Sequence, residues 1–358
     1  MKRFFAIVLL MVLTALGLTA WRSWAWWSWA SAPVDPTDSW ANAAETDRVQ
    51  VEIPQGTPSQ QIGQELADAG LIRSTTAWKL WTRWQTFQDD SGGYQAGTYA
   101  LSPEQPLTAI AAKIWTGDVV ELSFTIPEGW NREQIAALLE RQGLVSSLAF
   151  LAATEQIPTA NYPWLPSGLP HLEGFLYPDT YQVPEGEIDT ETVIRLMLDR
   201  FEQIALPLYQ ASNQAQNRYS LLQWVTLASI VEREAVVAEE RDEIASVFAR
   251  RLQEGIPLGA DPTVEYGLGI EQTPDQPLTL DQVRTPNPYN TYINAGLPPT
   301  PIANAGLASL EASLNPAPTE FLYFVARYDG THVFSRTLTE HELAQATIRD
   351  QVELQPVE

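Results

Sequence analysis

Two glutamates in the middle of the chain, Glu232 and Glu234, are the residues best suited to acid–base chemistry. They lie within residues 227–239, a stretch that is otherwise mostly apolar. A carboxyl group among apolar neighbours resists ionisation, because burial disfavours its charged form. A carboxylic acid that stays protonated near neutral pH can donate a proton to a leaving oxygen. The alternative is an ordinary helix that carries solvated glutamates on its outer face.

The helix that carries these glutamates has its apolar face marked by Trp224, Ala228 and Val231. At ~100° per residue, Glu232 and Glu234 lie about 80° to either side of the centre of that face. Both side chains can be partly buried, but they cannot point into the same cleft. Periodicity alone therefore leaves the choice between them open.

Capping signals give the expected limits of this helix. Ser220, with Gln223 three residues later, is typical of a capping box at a helix start. The helical pattern continues to Glu254, and Gly255 and Pro257 are expected to end it. The sequence thus predicts one helical region over residues 220–254.

Composition limits the classes of function that the chain can have. Its 358 residues suggest two domains with additional segments. It has 44 acidic and 21 basic residues and a net charge of −23, which argues against nucleic-acid binding. The chain has no cysteine, so thiolate metal sites and cysteine nucleophiles are excluded. Only three histidines occur, and we expect neither a metal site nor a cofactor.

The N-terminus is predicted to be a membrane anchor, residues 1–30. Residues 4–20 carry no charge, and a segment of about 17–18 apolar residues can just cross a bilayer core. Five tryptophans follow within residues 21–29, and tryptophan prefers the membrane–water interface. Lys2 and Arg3 place the N-terminus inside and the remaining chain outside the cytoplasmic membrane. The alternative is a signal peptide that is cleaved after Ser28-Trp-Ala30.

Beyond a Pro-, Asp- and Ala-rich linker, residues 31–48, the chain contains an internal repeat. Residues 51–72 align without gaps to residues 124–145, and eight pairs are identical. Each copy is typical of a strand, a Pro-x-Gly turn and an amphipathic helix that ends at a glycine. The alternative is two unrelated units that share turn chemistry.

The strand–turn–helix pattern resembles the LysM-like fold, a small βαβ-type module that binds glycans with N-acetyl groups. The predicted module covers residues 49–117 and includes a turn leading into a strand over residues 93–102 and a short helix within 106–116. The second copy, residues 122–145, opens a larger domain over 118–358. That domain contains a hairpin at residues 320–335 and a last helix capped by Thr339 and Glu342. The expected fold class is α+β: a transmembrane helix, the LysM-like module and a mixed α/β catalytic domain.

Several blocks in the C-terminal domain resemble one known family in the same order. They are Glu173-Gly-Phe-Leu-Tyr-Pro-Asp-Thr-Tyr181, Ala228-Ser-Ile-Val-Glu-Arg-Glu-Ala235, Val247-Phe-Ala-Arg-Arg-Leu252, Asp261-Pro-Thr-Val-Glu-Tyr-Gly267, Pro286-Asn-Pro-Tyr-Asn-Thr-Tyr292 and Gly296-Leu-Pro-Pro299. The set resembles the endolytic murein transglycosylases, the YceG-like (MltG-type) family. The resemblance extends over the whole chain.

The resemblance implies a catalytic acid in the Ile-x-Glu-x-Glu segment, and the match places it on Glu234, with Glu232 as the second candidate. It implies cleavage of the β-1,4 bond between N-acetylmuramic acid and N-acetylglucosamine in nascent peptidoglycan. One carboxyl would act as acid and then as base, which leaves a 1,6-anhydro end and sets glycan strand length. Candidate substrate-binding residues are the polar ones inside the matched blocks: Glu173, Tyr177, Asp179, Asp261, Thr263, Tyr289, Asn290 and Tyr292. For each of these a purely structural role is the alternative.

Two other functions compete with this interpretation. A hydrolytic muramidase would need a second carboxylate, which Asp261 or Asp179 could supply. A non-catalytic peptidoglycan-binding scaffold would need only the anchor and the LysM-like module. The expected partners are peptidoglycan glycan strands, cell-wall synthesis proteins and, through the N-terminal helix, the cytoplasmic membrane, with the catalytic domain extracytoplasmic.

Overall fold

The computed structural model describes residues 2–36, 48–89, 92–184, 188–212, 217–273, 276–327 and 329–353. Most of the predicted linker, residues 37–47, lies outside the described residues. The chain divides into two compact units, residues 1–123 with 182–187 and residues 124–181 with 188–358. The fold is mixed α/β, with short strands and many helices, as the sequence predicts.

The first unit combines helices with a two-stranded sheet. Its elements are α1 (Lys2–Ala30), β1 (Val49–Ile53), α2 (Ser59–Asp68), α3 (Thr75–Gln88), β2 (Gly97–Leu101) and α4 (Leu107–Thr116). Strands β1 and β2 are antiparallel, with Val51 opposite Tyr99. Two helices therefore separate two antiparallel strands, and the βαβ arrangement expected for residues 49–117 is wrong in this respect.

Helix α1 contains the candidate membrane span, Ile7–Ala30, which is long and apolar enough to cross a bilayer. Its C-terminal end belongs to the core of the first unit, because Ala30 is fully buried there with Ile62, Trp78 and Ile110. The Leu107 N–H also donates to the Ser31 carbonyl oxygen at 3.0 Å. The start of the predicted linker is thus packed against this unit.

The second unit is mainly helical. Its elements are α5 (Arg132–Arg141), α6 (Ser147–Thr154), α7 (Thr190–Ala211), α8 (Leu221–Glu234), α9 (Arg241–Glu254), α10 (Asp261–Leu268), α11 (Leu280–Val283), α12 (Leu307–Leu314), β5 (Tyr323–Ala326), β6 (His332–Ser335) and α13 (Leu338–Glu353). Strands β5 and β6 form the predicted antiparallel hairpin. Strands β3 (Glu121–Thr125) and β4 (Thr180–Pro184) also form a pair, and the boundary between the units passes through both.

The internal repeat has the same local structure in both copies. Gly56 and Gly129 have φ values of 82° and 75° in the turns, and α2 and α5 follow them. Gly70 and Gly143 adopt the left-handed conformation after these helices, as expected for glycine at a helix C-terminus. In each copy a second helix follows before the partner strand, so the copies share the order strand–helix–helix–strand.

The central helical region is interrupted, and the prediction of one helix over residues 220–254 is wrong there. Ser220 and Gln223 form the predicted capping box, but α8 ends at Glu234. Ala235 is extended (φ −81°, ψ 95°), and two β-branched residues, which have modest helix propensity, follow it. A short 3-10 turn at Ala238–Glu240 then leads into α9, which ends at Gly255 as predicted.

The cap of the last helix is shifted by two residues from its predicted position. The Thr337 hydroxyl, and not that of Thr339, accepts a hydrogen bond from the Glu340 N–H at 3.2 Å. Glu340 in turn accepts from the Arg336 N–H at 2.8 Å. Thr337 and Glu340 have the same spacing as the predicted pair, so spacing alone could not distinguish the two registers.

Candidate active site

Glu234 is the last residue of α8, and its side chain lies in the wall of a cavity of about 480 Å³. This volume is within the range typical of ligand-binding clefts. The described residues that line it are Glu234, Arg251, Ile256, Pro257, Leu258, Gly259, Asp261, Tyr292, Tyr323, Phe324, Ala326, His332, Leu338, His341 and Gln345. Polar groups from several elements thus line one cleft, together with apolar side chains.

Asp261 and Tyr292 join Glu234 in this cavity. The Tyr292 hydroxyl donates to Asp261 Oδ1 at 2.6 Å. Asp261 starts α10, with Pro262 in its first turn, so Asp261 and Thr263 lie on a helix and not on a loop. Proline is favoured in a first helical turn because the N–H that it lacks would have no intrahelical partner there.

The loop before Tyr292 is fixed to the start of α10 by buried hydrogen bonds. Thr291 Oγ1 accepts from the Ala260 N–H at 3.0 Å, and the Thr291 carbonyl oxygen accepts from the Gly259 N–H at 3.1 Å. Asn290 is fully buried, and its Oδ1 accepts from the Tyr292 N–H at 3.0 Å. These contacts place the Tyr292 ring beside Asp261.

Gly259 allows this close approach. Its φ is +57°, and a Cβ there would lie 3.4 Å from the Tyr292 ring. A residue with a side chain would therefore be strained by its backbone conformation and tightly packed against the tyrosine.

Arg251 is the cation of the cavity, and carbonyl groups hold its guanidinium in place. Its Nε donates to the Leu322 oxygen and its Nη1 to the Leu258 oxygen, both at 2.6 Å. The guanidinium carbon lies 4.9 Å from the Tyr323 ring centroid, within cation–π distance. Arg251 is thus a fixed positive charge beside Glu234.

The surroundings keep the Glu234 carboxyl protonated near neutral pH. Burial raises its pKa to about 8, the charges of Asp261 and Glu265 act in the same direction, and Arg233 and Arg251 oppose them. Among the described residues, no hydrogen bond to this carboxyl is found. A proton on Glu234 is therefore available to a group that enters the cavity.

Two histidines complete the wall opposite α8. His332 is buried, and its Nδ1 lies 2.7 Å from Glu240 Oε2. The His341 ring is stacked on Tyr323, with centroids 5.3 Å apart, and its Nδ1 has no hydrogen-bond partner in the described chain. Burial, followed by the nearby Arg251, lowers the pKa of His341.

Glu232 lies outside this cavity. Its Oε2 accepts a hydrogen bond from the Gly306 N–H, at the start of α12, at 3.2 Å. Glu128 lies beside it, and burial together with the charge of Glu232 raises the pKa of Glu128. The two glutamates of α8 therefore face different surroundings, as helix geometry predicts.

Glu173 and Tyr289 belong to a second, buried network. Glu173 is 1% exposed and accepts hydrogen bonds from the Arg132 N–H, Tyr266 Oη and Asn304 Nδ2 at 3.0–3.2 Å. Tyr289 packs its ring 4.9 Å from that of Tyr266. Burial raises the pKa of Glu173 to about 7, and its hydrogen-bond donors oppose this shift.

The remaining candidates also lie away from the cavity lining. Thr263 is fully buried and donates to the Ala260 oxygen at 2.6 Å. Tyr177 is a core residue, and Asp179 Oδ2 is 2.6 Å from Arg200 Nε on α7. Of the residues predicted to bind substrate, the structure thus brings only Asp261 and Tyr292 to Glu234.

No group of three or more His, Asp or Glu side chains that could hold a metal ion is found in the described parts of the chain.

Comparison with known proteins identifies the family of this chain. The model of the YceG-like family matches residues 51–347. The chain belongs to the YceG-like family.

The relatives of this YceG-like chain are similar over most of its length. It is 34% identical over 310 residues to the endolytic murein transglycosylase of Bacillus subtilis, covering 83% of this chain and 84% of that protein. It is 30% identical over 319 residues to the enzyme of the same name from Streptococcus pneumoniae, covering 82% of this chain and 57% of the relative. These relatives class the chain with the lytic transglycosylases.

A solved structure supports the same placement. The crystal structure of a yceG-like protein from Listeria monocytogenes matches with a TM-score of 0.56 and 32% identity. The match covers 83% of this chain and 99% of that one.

Several residues of the cavity carry no clear signal in the sequence. Arg251 and Tyr323 lie within or beside conspicuous blocks, but a lone arginine or tyrosine in a helix or strand gives no signal of a site. His332 and His341 are two of only three histidines in the chain, and that rarity was the available signal. Their convergence depends on the packing of β6 and α13 near α9.

Proposed function

We propose that this YceG-like protein is a membrane-anchored endolytic transglycosylase that cleaves the MurNAc-β-1,4-GlcNAc bond of nascent glycan strands and leaves a 1,6-anhydroMurNAc end. The observation that carries the proposal is Glu234: a carboxyl with a raised pKa and no hydrogen bond from the described residues, in the wall of a cleft lined by polar groups. The names of the relatives supply the substrate class.

In the proposed reaction, Glu234 acts first as an acid and then as a base. Its proton passes to the glycosidic oxygen as the bond to the anomeric carbon breaks. The resulting carboxylate then takes the proton of the muramyl 6-hydroxyl, whose oxygen closes onto the anomeric carbon. The proton returns to Glu234, and no water is consumed. A pKa near 8 suits a group that must give and recover a proton near neutral pH.

Asp261 and Tyr292 would support this chemistry from the same cavity. The charge of Asp261 favours the protonated form of Glu234. The same charge would stabilise the positive charge that develops on the sugar ring. The Tyr292 hydroxyl fixes the orientation of this carboxylate. Arg251 can donate hydrogen bonds to a polar group of the sugar or stabilise Glu234 once it has lost its proton.

A hydrolytic muramidase is the second candidate, because Asp261 lies in the same cavity as Glu234. Hydrolytic glycosidases usually act through two carboxyl groups that flank one cleft. Asp179, the other candidate for this role, is paired with Arg200 and lies away from the cavity.

The membrane anchor is supported by the packing of its C-terminal end. Cleavage after Ala30 would remove a fully buried residue of the first unit and the partly buried Trp27 that packs against the same core. We therefore propose that α1 is retained as a single-pass span, with the catalytic domain extracytoplasmic and near the site of wall synthesis. Termination of strand elongation in association with synthesis proteins would follow from this location.

A glycan-binding role for residues 49–117 remains a proposal based on the LysM-like pattern. The repeated strand–helix–helix–strand units and the antiparallel β1–β2 pair support a discrete small module. Glycan strands that bind the full chain, but not a chain lacking this segment, would establish the role.

Mass spectrometry of digested glycan strands tests the catalytic proposal. The unmodified enzyme should give muropeptides that are lighter by one water than hydrolytic products, because no water is added. Glu234→Gln should lower cleavage by about 10²–10⁴-fold, since it cannot supply or recover a proton. Glu232→Gln, on the same helix but outside the cavity, is the matched control and should retain far more activity.

Three outcomes would replace the proposal. Products with an ordinary reducing end would identify a muramidase. Absence of cleavage with retained glycan binding would identify a scaffold. A fully active Glu234→Gln variant beside an inactive Glu232→Gln variant would move the acid to Glu232.

A further inference from the structure

Helix α3 of the first unit carries an apolar stripe on its exposed side. Leu80, Trp84 and Phe87 are spaced four and three residues apart, so they share one face of the helix. All three are exposed, and Phe87 is 90% exposed. The opposite face contains Trp78 and Thr82, which are buried in the unit. Helix α3 is therefore apolar on both faces. Its exposed face has no partner among the described residues of this unit.

The charge of α3 differs from that of the protein as a whole. The chain has a net charge of −23, yet α3 contains Lys79 and Arg83 and no acidic residue. These two residues lie one turn apart along one edge of the apolar stripe and are both exposed. An apolar stripe beside basic residues is the pattern of a helix that lies in the interface of an anionic membrane.

Direct ring contacts connect this stripe to the candidate membrane span. Trp27, in the last turns of the span Ile7–Ala30, stacks on Trp81 of α3 with centroids 6.1 Å apart. Trp81 in turn contacts Trp84 of the stripe, with centroids 4.7 Å apart. Because Ala30 is buried in the same unit, α3 is held next to the end of the span.

We propose that α3 lies at the membrane–water interface as a second membrane contact, with Leu80, Trp84 and Phe87 at the headgroup–acyl boundary. Lys79 and Arg83 would meet the phosphates of anionic lipids. The inference rests on the proposed membrane anchor. If so, the first unit contacts the bilayer surface directly and is not attached to the membrane through the transmembrane helix alone.

A lipid surface fits this stripe better than a glycan strand does. Sugar sites combine an aromatic platform with polar groups that bond to hydroxyls, whereas this stripe contains Leu80 and Phe87 and is flanked by cations. The contact path Trp27–Trp81–Trp84 also leads from the span itself. Continuity with the span and charge complementarity both indicate lipid.

The absence of cysteine makes a direct test possible with the full chain. A single-cysteine variant, Phe87→Cys, would be labelled with an environment-sensitive fluorophore and reconstituted into vesicles of phosphatidylcholine and phosphatidylglycerol. Lipids that carry a quencher at a shallow acyl position should quench this label strongly. Leu16→Cys, within the span, is the positive control, and Gln64→Cys, exposed on the polar side of α2, is the aqueous control.

The controls separate this inference from the anchor proposal. A quenched Leu16 label with a Phe87 label that behaves like the Gln64 label would overturn the inference and leave the anchor intact. An unquenched Leu16 label would overturn both. Protection of the Phe87 label by isolated glycan strands, without quenching by lipid, would assign the stripe to sugar binding instead.

A charge-reversal variant tests the lipid chemistry. Removing both basic side chains, as in Lys79→Glu with Arg83→Glu, should shift the balance between the bound and free helix by at least about 30-fold on anionic vesicles. The Phe87 label should then lose quenching on phosphatidylglycerol vesicles. Unchanged quenching in that variant at low salt would contradict the assignment of Lys79 and Arg83 to anionic headgroups.

Discussion

At the scale of single residues, the environment distinguishes two glutamates that lie two positions apart on one helix. Glu234 faces a cavity and has a raised pKa, whereas Glu232 accepts a hydrogen bond from a backbone N–H at the start of α12. No described group donates a hydrogen bond to the Glu234 carboxyl, and burial with the charges of Asp261 and Glu265 raises its pKa. This contrast is the basis for assigning the acid to Glu234.

The pH dependence of cleavage should follow the ionisation of Glu234. Because the acid must carry a proton, we expect kcat/KM to fall as pH rises through about 8. Asp261→Asn removes a negative neighbour, so the pKa of Glu234 should decrease. The decline of kcat/KM, the alkaline limb of the pH profile, should then move to lower pH. Initial rates on glycan strands from pH 5 to about 9.5 would show the shift. Glu254→Gln, at the end of α9, should leave the limb in place.

The same pKa predicts how stability changes with pH. The folded pKa is raised from 4.5 to about 8, so the folded state holds the proton that the unfolded state has lost between these values. The contribution to folding stability is therefore lost as pH rises through this window, by at most about 1.4 kcal/mol per pH unit. Thermal unfolding should show Glu234→Gln more stable than the parent at pH 8 and similar to it near pH 4. Parallel curves for the two proteins would contradict the assignment.

At the scale of elements, buried polar side chains fix the positions of helices that carry little chemistry themselves. Glu173 holds the first turn of α5 by accepting a hydrogen bond from the Arg132 N–H. It also accepts hydrogen bonds from the side chains of Tyr266, on α10, and Asn304. Thr291 similarly holds the loop of Tyr292 against the start of α10, and Asn290 accepts from the Tyr292 N–H within that loop. These conspicuous polar residues act on the site through the elements that they hold together.

Glu173→Ala should therefore reduce stability more than it reduces intrinsic activity. The variant leaves several buried donors without an acceptor, which we expect to cost about 2–4 kcal/mol of unfolding free energy. Urea denaturation followed by tryptophan fluorescence would measure it. Glu133→Ala, at an exposed position of α5, should change stability by less than about 0.5 kcal/mol. A stable but inactive Glu173→Ala variant would instead indicate a direct role in the reaction.

At the scale of the whole molecule, α1 serves both as the candidate span and as part of a folded unit. Its last residues contribute Ala30 and Trp27 to the packing of the first unit, which gives a structural reason for retaining the helix. The strongly acidic composition keeps the rest of the chain from binding anionic surfaces in general, so the basic helix α3 stands out.

Mass spectrometry of the mature protein should find the N-terminal helix still attached and the protein in the membrane fraction. A truncated chain that starts at Ser31 loses Ala30 and Trp27, and its first unit should be cut faster in limited proteolysis. A chain that starts at Trp21 keeps both residues and should resist as the full chain does. A soluble mature form beginning near Ser31 would identify a cleaved signal sequence.

Much of the local structure could be predicted from the sequence because short-range rules decide it. The capping box at Ser220, the glycine ends of the repeated helices and the hairpin at residues 320–335 depend on neighbours in the chain. The long apolar N-terminal helix and the family membership were also predicted, the latter from several blocks in a fixed order. The prediction of a helix cap at Thr339 was wrong by two residues, because Thr337 forms the cap.

The sequence by itself indicated a carboxyl in an apolar helix as the candidate acid, and it left the choice between Glu232 and Glu234 open. The tertiary structure decided which of the two faces a cavity and that α8 ends at Glu234. It also decided that Asp261, Tyr292 and Arg251 surround the latter, while Glu173, Thr263 and Asn290 are buried supports. The physical reason is that burial and electrostatic neighbours arise from residues distant in sequence, whereas periodicity reports only which side of one helix a residue occupies.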